Sequence, residues 1–300
     1  MRREWYRLVR VVAVGLALTM CALAQIRPST QSVDGNPHRS GAQAAENSSA
    51  TQALAPARDG GIVTSDTVLT IVKPSGDATR VVEYTPAAGI SADLLAAHLG
   101  VDHHDIDDGS TNVAPAAYGQ CSYAYLGTAK TLCPMLHWTN AGHAQPQVYY
   151  VDHTGGVWPV QQSTLAWNSA RNIQLHYTRV GCPAGAHCVN VWDANYGNSC
   201  WQGMTTWSYD RYGNFIDNSV DIRLNDYNGT GVCQGRSVNY YKNSAGYRQN
   251  ICHEQGHTLG LDHNAAYDSC LYASVADRTT LIAPDSDDLT LLGWLYSTTH

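Results

Sequence analysis

The chain has 300 residues, with 18 Lys and Arg against 25 Asp and Glu, a formal charge of −7 and only 14% charged residues. No basic stripe exists that could neutralise phosphates, so the balance argues against a nucleic-acid partner. The length suits one domain of ordinary size with a small unit and a leader before it.

Arg2, Arg3, Arg7 and Arg10 make a positive front, Val11 to Ala24 an apolar core, and Ala22-Leu23-Ala24 a small-x-small cleavage site. That order is a secretory signal peptide over residues 1–24, and its apolar core is too short to span a bilayer. The mature chain is expected to begin at Gln25, outside the cell and without a membrane span. Residues 25–61 are rich in Ser, Ala, Gln, Asn, Gly and Pro. Such a stretch buries too little apolar surface to offset chain entropy and reads as a disordered linker.

Residues 62–117 read as a small N-terminal unit. Val63, Val68, Thr70 and Val72, then Val81, Val82 and Tyr84, suggest two short strands about a turn at Pro74-Ser75-Gly76. Ser91 to Leu99 reads as a short helix capped by Ser91. The run Asp102, His103, His104, Asp105, Asp107 and Asp108 is a solvated linker or a source of an inhibitory ligand.

Farther on, Gln147–Asp152, Ile173–Val180, Cys188–Trp192, Gln202–Tyr209 and Ser219–Asn225 read as five strands. Trp158–Arg171 is an amphipathic helix with Pro159 in its first turn, Val238–Leu259 a second helix, and Pro284–Tyr296 a last one capped by Ser286 or Asp287. Asp210, Gly213, Asn214 and Asp217 offer oxygen ligands that could hold Ca2+, or form a plain hairpin turn. Eight cysteines follow the leader, at 121, 133, 182, 188, 200, 233, 252 and 270. An even set in an exported chain implies up to four disulfides, and Cys182 and Cys188 are placed to close a small loop.

The chemistry concentrates in H-E-x-x-H-x-x-G-x-x-H, filled by His253, Glu254, His257, Gly260 and His263. Positions i and i+4 share a helix face, so His253 and His257 can grip one ion. A third ligand must come from beyond the helix end; Gly260 tolerates the turn and His263 follows it. Three neutral imidazoles around zinc leave a fourth position for water, the arrangement of a catalytic site. Glu254 is the carboxylate placed to take that water's proton.

This stretch resembles the zinc-binding consensus of the metzincin metallopeptidases, and HEQGHTLGLDH is most similar to the matrixin branch. The resemblance implies an α+β fold over residues 118–300: a mixed, twisted five-stranded sheet, an active-site helix and a C-terminal helix, preceded by the small N-terminal unit as a propeptide. It implies a secreted, monomeric zinc endopeptidase acting on a protein or peptide substrate. One catalytic zinc would be held by His253, His257 and His263, with Glu254 as general base. Gln202–Tyr209 would be the edge strand above the cleft. Matrixins carry a methionine eight residues after the third histidine, followed by tyrosine; here the pair is Leu271 and Tyr272. Leu for Met conserves volume at a cost usually below about 1.5 kcal/mol. A Cys252–Cys270 bridge would tie the active-site helix to the turn under the metal. No P-R-C-G motif occurs, which removes the cysteine switch of matrixin propeptides. The alternative is a weak or inactive binding protein on the same fold, in the cell envelope or extracellular matrix.

Overall fold

A computed structural model of the chain describes residues 61–65, 68–101, 123–227, 229–240, 243–273 and 283–297. The expected leader, the linker up to residue 60, the Asp102–Asp108 run and Cys121 lie outside the described residues.

The first strands form a meander, β1 (Gly61–Ser65), β2 (Val68–Ser75) and β3 (Ala78–Pro86), followed by helix α1 (Ala92–Leu99). As expected, the Ser91 side chain caps α1 by accepting from the Leu94 N–H. A two-residue-stranded hairpin follows, β4 (Tyr125–Leu126) with β5 (Ala129–Lys130). Next come β6 (Gln147–Asp152), α2 (Val160–Trp167), β7 (Gln174–Thr178), β8 (His187–Ala194), β9 (Trp201–Tyr209) and β10 (Asp221–Asn225). A second hairpin, β11 (Thr230–Cys233) with β12 (Arg236–Asn239), leads to α3 (Ser244–Thr258), and α4 (Ser286–Leu295) closes the chain. The class is α+β, as expected.

All five expected strands are present as β6 to β10, but the sheet has eight, in the order β1-β2-β3-β9-β10-β8-β6-β7. Strands β10, β8, β6 and β7 run parallel, while β9 is antiparallel to β10 and β3 antiparallel to β9. The count of five fails because the N-terminal meander joins the same sheet. Strand β9 is therefore not an edge: its outer backbone groups pair with β3, from Thr79↔Tyr209 to Thr85↔Gly203.

Helix ends also differ from expectation. Val238 lies on β12, paired with Gly231, so α3 starts only at Ser244, where Asn243 accepts from the Gly246 N–H at 2.8 Å. The α4 cap is Asp285, one residue before Ser286 and two before Asp287. It forms a reciprocal capping box with Asp288: Asp288 N–H donates to Asp285 Oδ1 at 2.8 Å, and Asp285 N–H to Asp288 Oδ2 at 3.1 Å.

Helix α3 is buried along its whole C-terminal part, from Gln249 to Thr258. A helix enclosed on all sides shows no amphipathic stripe and is held by its neighbours. The Trp167 indole donates to Cys252 O at 3.0 Å, the Trp138 indole to Thr258 O at 2.8 Å, and the Tyr296 hydroxyl to Leu259 O at 3.1 Å. These aromatic residues satisfy polar groups while filling the core, and truncating one such Trp would cost about 3–5 kcal/mol. A second apolar cluster joins Leu69, Ile90 and Leu95 to Trp201, Met204 and Val238, fastening β2 and α1 to β9 and β12.

Three disulfides occur among the described residues. Cys182–Cys188 and Cys252–Cys270 are the two anticipated pairs, with Cα atoms 6.0 and 5.9 Å apart, and Cys200–Cys233 is a third. No described helix is long and apolar enough to cross a membrane.

Candidate metal centre

His253 and His257 stand one turn apart on α3, with ring centroids 4.7 Å from each other. The helix ends at Leu259, and Gly260 turns the chain at φ 92°. A Cβ at Gly260 would lie 2.0 Å from Leu136 O, so only glycine fits there. The turn brings the His263 ring to 4.9 and 4.8 Å from the other two. The three side chains could hold a metal ion: their ligand atoms lie within 4.8 Å of one another, and elsewhere among the described residues no group of three or more ligand-type residues meets this way.

The outward ring nitrogens are anchored. His253 Nδ1 lies 3.0 Å from Cys270 O and His257 Nδ1 2.9 Å from Leu261 O. A carbonyl can only accept, so each Nδ1 carries the proton and each Nε2 turns a lone pair inward. His263 Nδ1 stands 3.3 Å from Asp262 Oδ1, whose other oxygen pairs with Lys130 at 2.9 Å. Burial, reinforced by the neighbouring His257 and His263, holds the His253 imidazole well below the usual histidine range, in the neutral form a metal requires.

The interior of the trio carries a polar deficit. His253 and His263 bring their Nε2 atoms to 3.0 Å, and His257 Nε2 is buried without a hydrogen-bond partner. Nitrogens bound tetrahedrally to zinc at about 2.0–2.1 Å stand roughly 3.3 Å apart, near the separation seen here. A divalent cation among the rings answers both features, so the donor set fits such an ion.

Glu254, next to His253, is fully buried. Its Oε1 accepts from the Thr85 hydroxyl at 2.7 Å and its Oε2 from the Thr205 hydroxyl at 2.5 Å. Burial pushes its carboxyl up to about 7, against the pull of His257 and the two threonines. Thr205 on β9 and Thr85 on β3 belong to the site, yet neither carries a motif. Glu83, two residues before Thr85, places Oε1 3.1 Å from His257 Nε2 and 3.9 Å from His263 Nε2. Burial pushes the Glu83 carboxyl up to about 7 as well, opposed by His263.

Leu271 is buried beneath α3, so close that a Cβ on Gly256 would meet its Cδ2 at 2.5 Å. The segment is fastened: Asn264 N–H donates to Leu271 O at 3.0 Å, and the Asn264 side-chain amide donates to Asp288 Oδ1 at 2.8 Å. Ser269 Oγ donates to Asp288 Oδ2 at 2.6 Å. Of the candidate calcium residues, Asp210, Gly213 and Asn214 bond to one another in a hairpin turn and Asp217 points elsewhere. Asp210 Oδ1 accepts from the Tyr212 and Asn214 backbone N–H groups at 2.8 and 3.0 Å, while Asp217 pairs with His187 at 2.7 Å.

No protein-family model matches the sequence, and no curated protein matches it. Among solved structures, the crystal structure of metalloproteinase-II from Bacteroides fragilis is similar at a TM-score of 0.27 and 10% identity, over 76% of each chain.

Proposed function

We propose that the chain is an exported zinc endopeptidase of the metzincin type and matrixin branch, with residues 118–300 as its catalytic part and residues 62–117 as a propeptide. One observation carries the reading: three inward-facing imidazoles converge beside a buried carboxylate held by two hydroxyls. A divalent ion bound there supplies Lewis-acid polarisation of a carbonyl and lowers the pKa of a water to about 7. Glu254 takes the proton of the attacking water and delivers it to the departing amine as the peptide C–N bond breaks. Thr205 orients the accepting carboxylate from β9.

An extended peptide would bind by adding a strand to β9. The ladder between β9 and β3 displays that mode of pairing with a segment of the chain itself. The leader and the disulfides favour an oxidising compartment outside the cell. The inactive-protein reading rests on Leu271, which fills the space under α3 where the matrixin methionine would pack.

The test is hydrolysis of unfolded casein by the chain recovered after export and N-terminal processing, with the new N-terminus sequenced. A chelator and Glu254→Ala should each abolish it, the variant still retaining zinc. Equal rates for wild type and Glu254→Ala would overturn the proposal.

A further inference from the structure

We propose that Glu83 is a fourth metal ligand, delivered by β3, and that it keeps the site closed to substrate; this rests on the metal reading above. Glu83 is 4% exposed, and its Oε1 has no hydrogen-bond partner although it points at His257 Nε2 from 3.1 Å. Its other oxygen accepts from the Thr70 hydroxyl on β2 at 3.4 Å, which leaves Oε1 aimed at the trio. Among the described residues no Lys or Arg pairs with it, and the only basic side chains facing it are His257 and His263. A buried carboxylate is costly unless it is paired or coordinates a metal. A carboxylate oxygen is also an ordinary zinc donor alongside imidazoles.

The register makes the placement specific. Alternate residues of a strand face the same side, so Glu83 and Thr85 point together toward α3. Glu83 pairs with Thr205 across the ladder and Thr85 with Gly203. One inward side chain thus meets the imidazoles and the next meets Glu254 at 2.7 Å. A peptide lying along β9 would need this same track, with its scissile carbonyl where the Glu83 carboxylate now stands. Strand β3 is held there by its ladder and by the apolar cluster of Leu69, Ile90 and Leu95 with Trp201 and Met204, so an incoming peptide does not readily displace it.

The experiment uses the full chain loaded with cobalt(II) and titrated with acetohydroxamate, a small chelating probe that needs an open coordination position, read by visible absorption. Wild type, Glu83→Gln and Glu83→Ala should each take up cobalt. The two variants should show a shifted cobalt band before any probe is added. They should also respond at an acetohydroxamate concentration at least about tenfold lower than wild type, because the probe-competent fraction sets the apparent affinity. Glu83→Gln preserves side-chain shape, so its response does not depend on the smaller variant folding. Identical spectra and identical titrations for wild type and Glu83→Gln would overturn the role of Glu83 while leaving the metal site standing. A chain that takes up no cobalt would overturn both.

Discussion

Thr205 and Glu254 are 49 positions apart in sequence, yet the Thr205 hydroxyl donates to Glu254 Oε2 at 2.5 Å. The bond joins the sheet to α3 at the residue proposed as general base. A carboxylate in contact with solvent could rotate freely. This one is buried and fixed by hydroxyls on both oxygens.

Thr205→Val removes one of those donors without changing side-chain shape much. Hydrogen bonds to charged groups contribute about 1.5–3 kcal/mol, which corresponds to roughly a 10–100-fold loss. The loss should fall on kcat of the processed enzyme, with KM and zinc content near wild type. A change confined to KM would show that Thr205 contacts substrate instead.

Gly260→Ala should damage the site through the backbone. The residue sits at φ 92°, and the added methyl would strike Leu136 O. Strain at such positions costs about 1–3 kcal/mol before the clash is counted. Thermal unfolding of the variant should show a clear loss of stability together with weakened metal retention. An unchanged melting temperature would contradict the geometry of the turn.

Leu271→Met tests the departure from the matrixin pattern. Because Leu271 already fills the space against Gly256, a volume-conserving exchange should change stability by less than about 1.5 kcal/mol and leave hydrolysis near wild type. Activity that appears only in the methionine variant would favour the inactive binding protein.

Asp288 lends the fold an unusual pH dependence. Burial pushes its carboxyl up to about 6, against hydrogen bonds from Ser269 and Asn264. The unfolded chain has an ordinary value near 3.9, so the folded state binds the proton more tightly. Its favourable contribution is therefore full below about pH 4 and is lost as pH rises through about 6. Asp288→Asn should flatten that part of the stability curve, read as melting temperature from pH 4 to 7. Parallel curves for variant and wild type would contradict the assignment.

The trio was legible because its parts are local. His253 and His257 are one helical turn apart, Gly260 marks the turn, and His263 follows within a few residues. Cys252 and Cys270 flank the same loop, so their pairing could be reasoned from the implied turn. The five strands β6 to β10 were legible from alternation and short apolar runs. Illegible were the contacts between distant segments. Glu83 and Thr85 meet α3 only because β3 pairs with β9, and nothing in the pattern of either strand names its partner. The expected helix over Val238–Leu259 runs back into β12, because Val238 belongs to a strand only through its pairing with Gly231. Asp285, Ser286 and Asp287 can all accept from a helix N-terminus, and only the reciprocal bond with Asp288 singles out Asp285 as the cap.

The most direct test of the account is the metal content of the purified chain, by elemental analysis after dialysis, for wild type and for His257→Ala. The account predicts a zinc-to-chain ratio of about one in wild type and a loss of most of that metal in the variant. A wild-type chain free of metal, or a variant that retains it in full, would contradict the claim that His253, His257 and His263 hold a divalent cation.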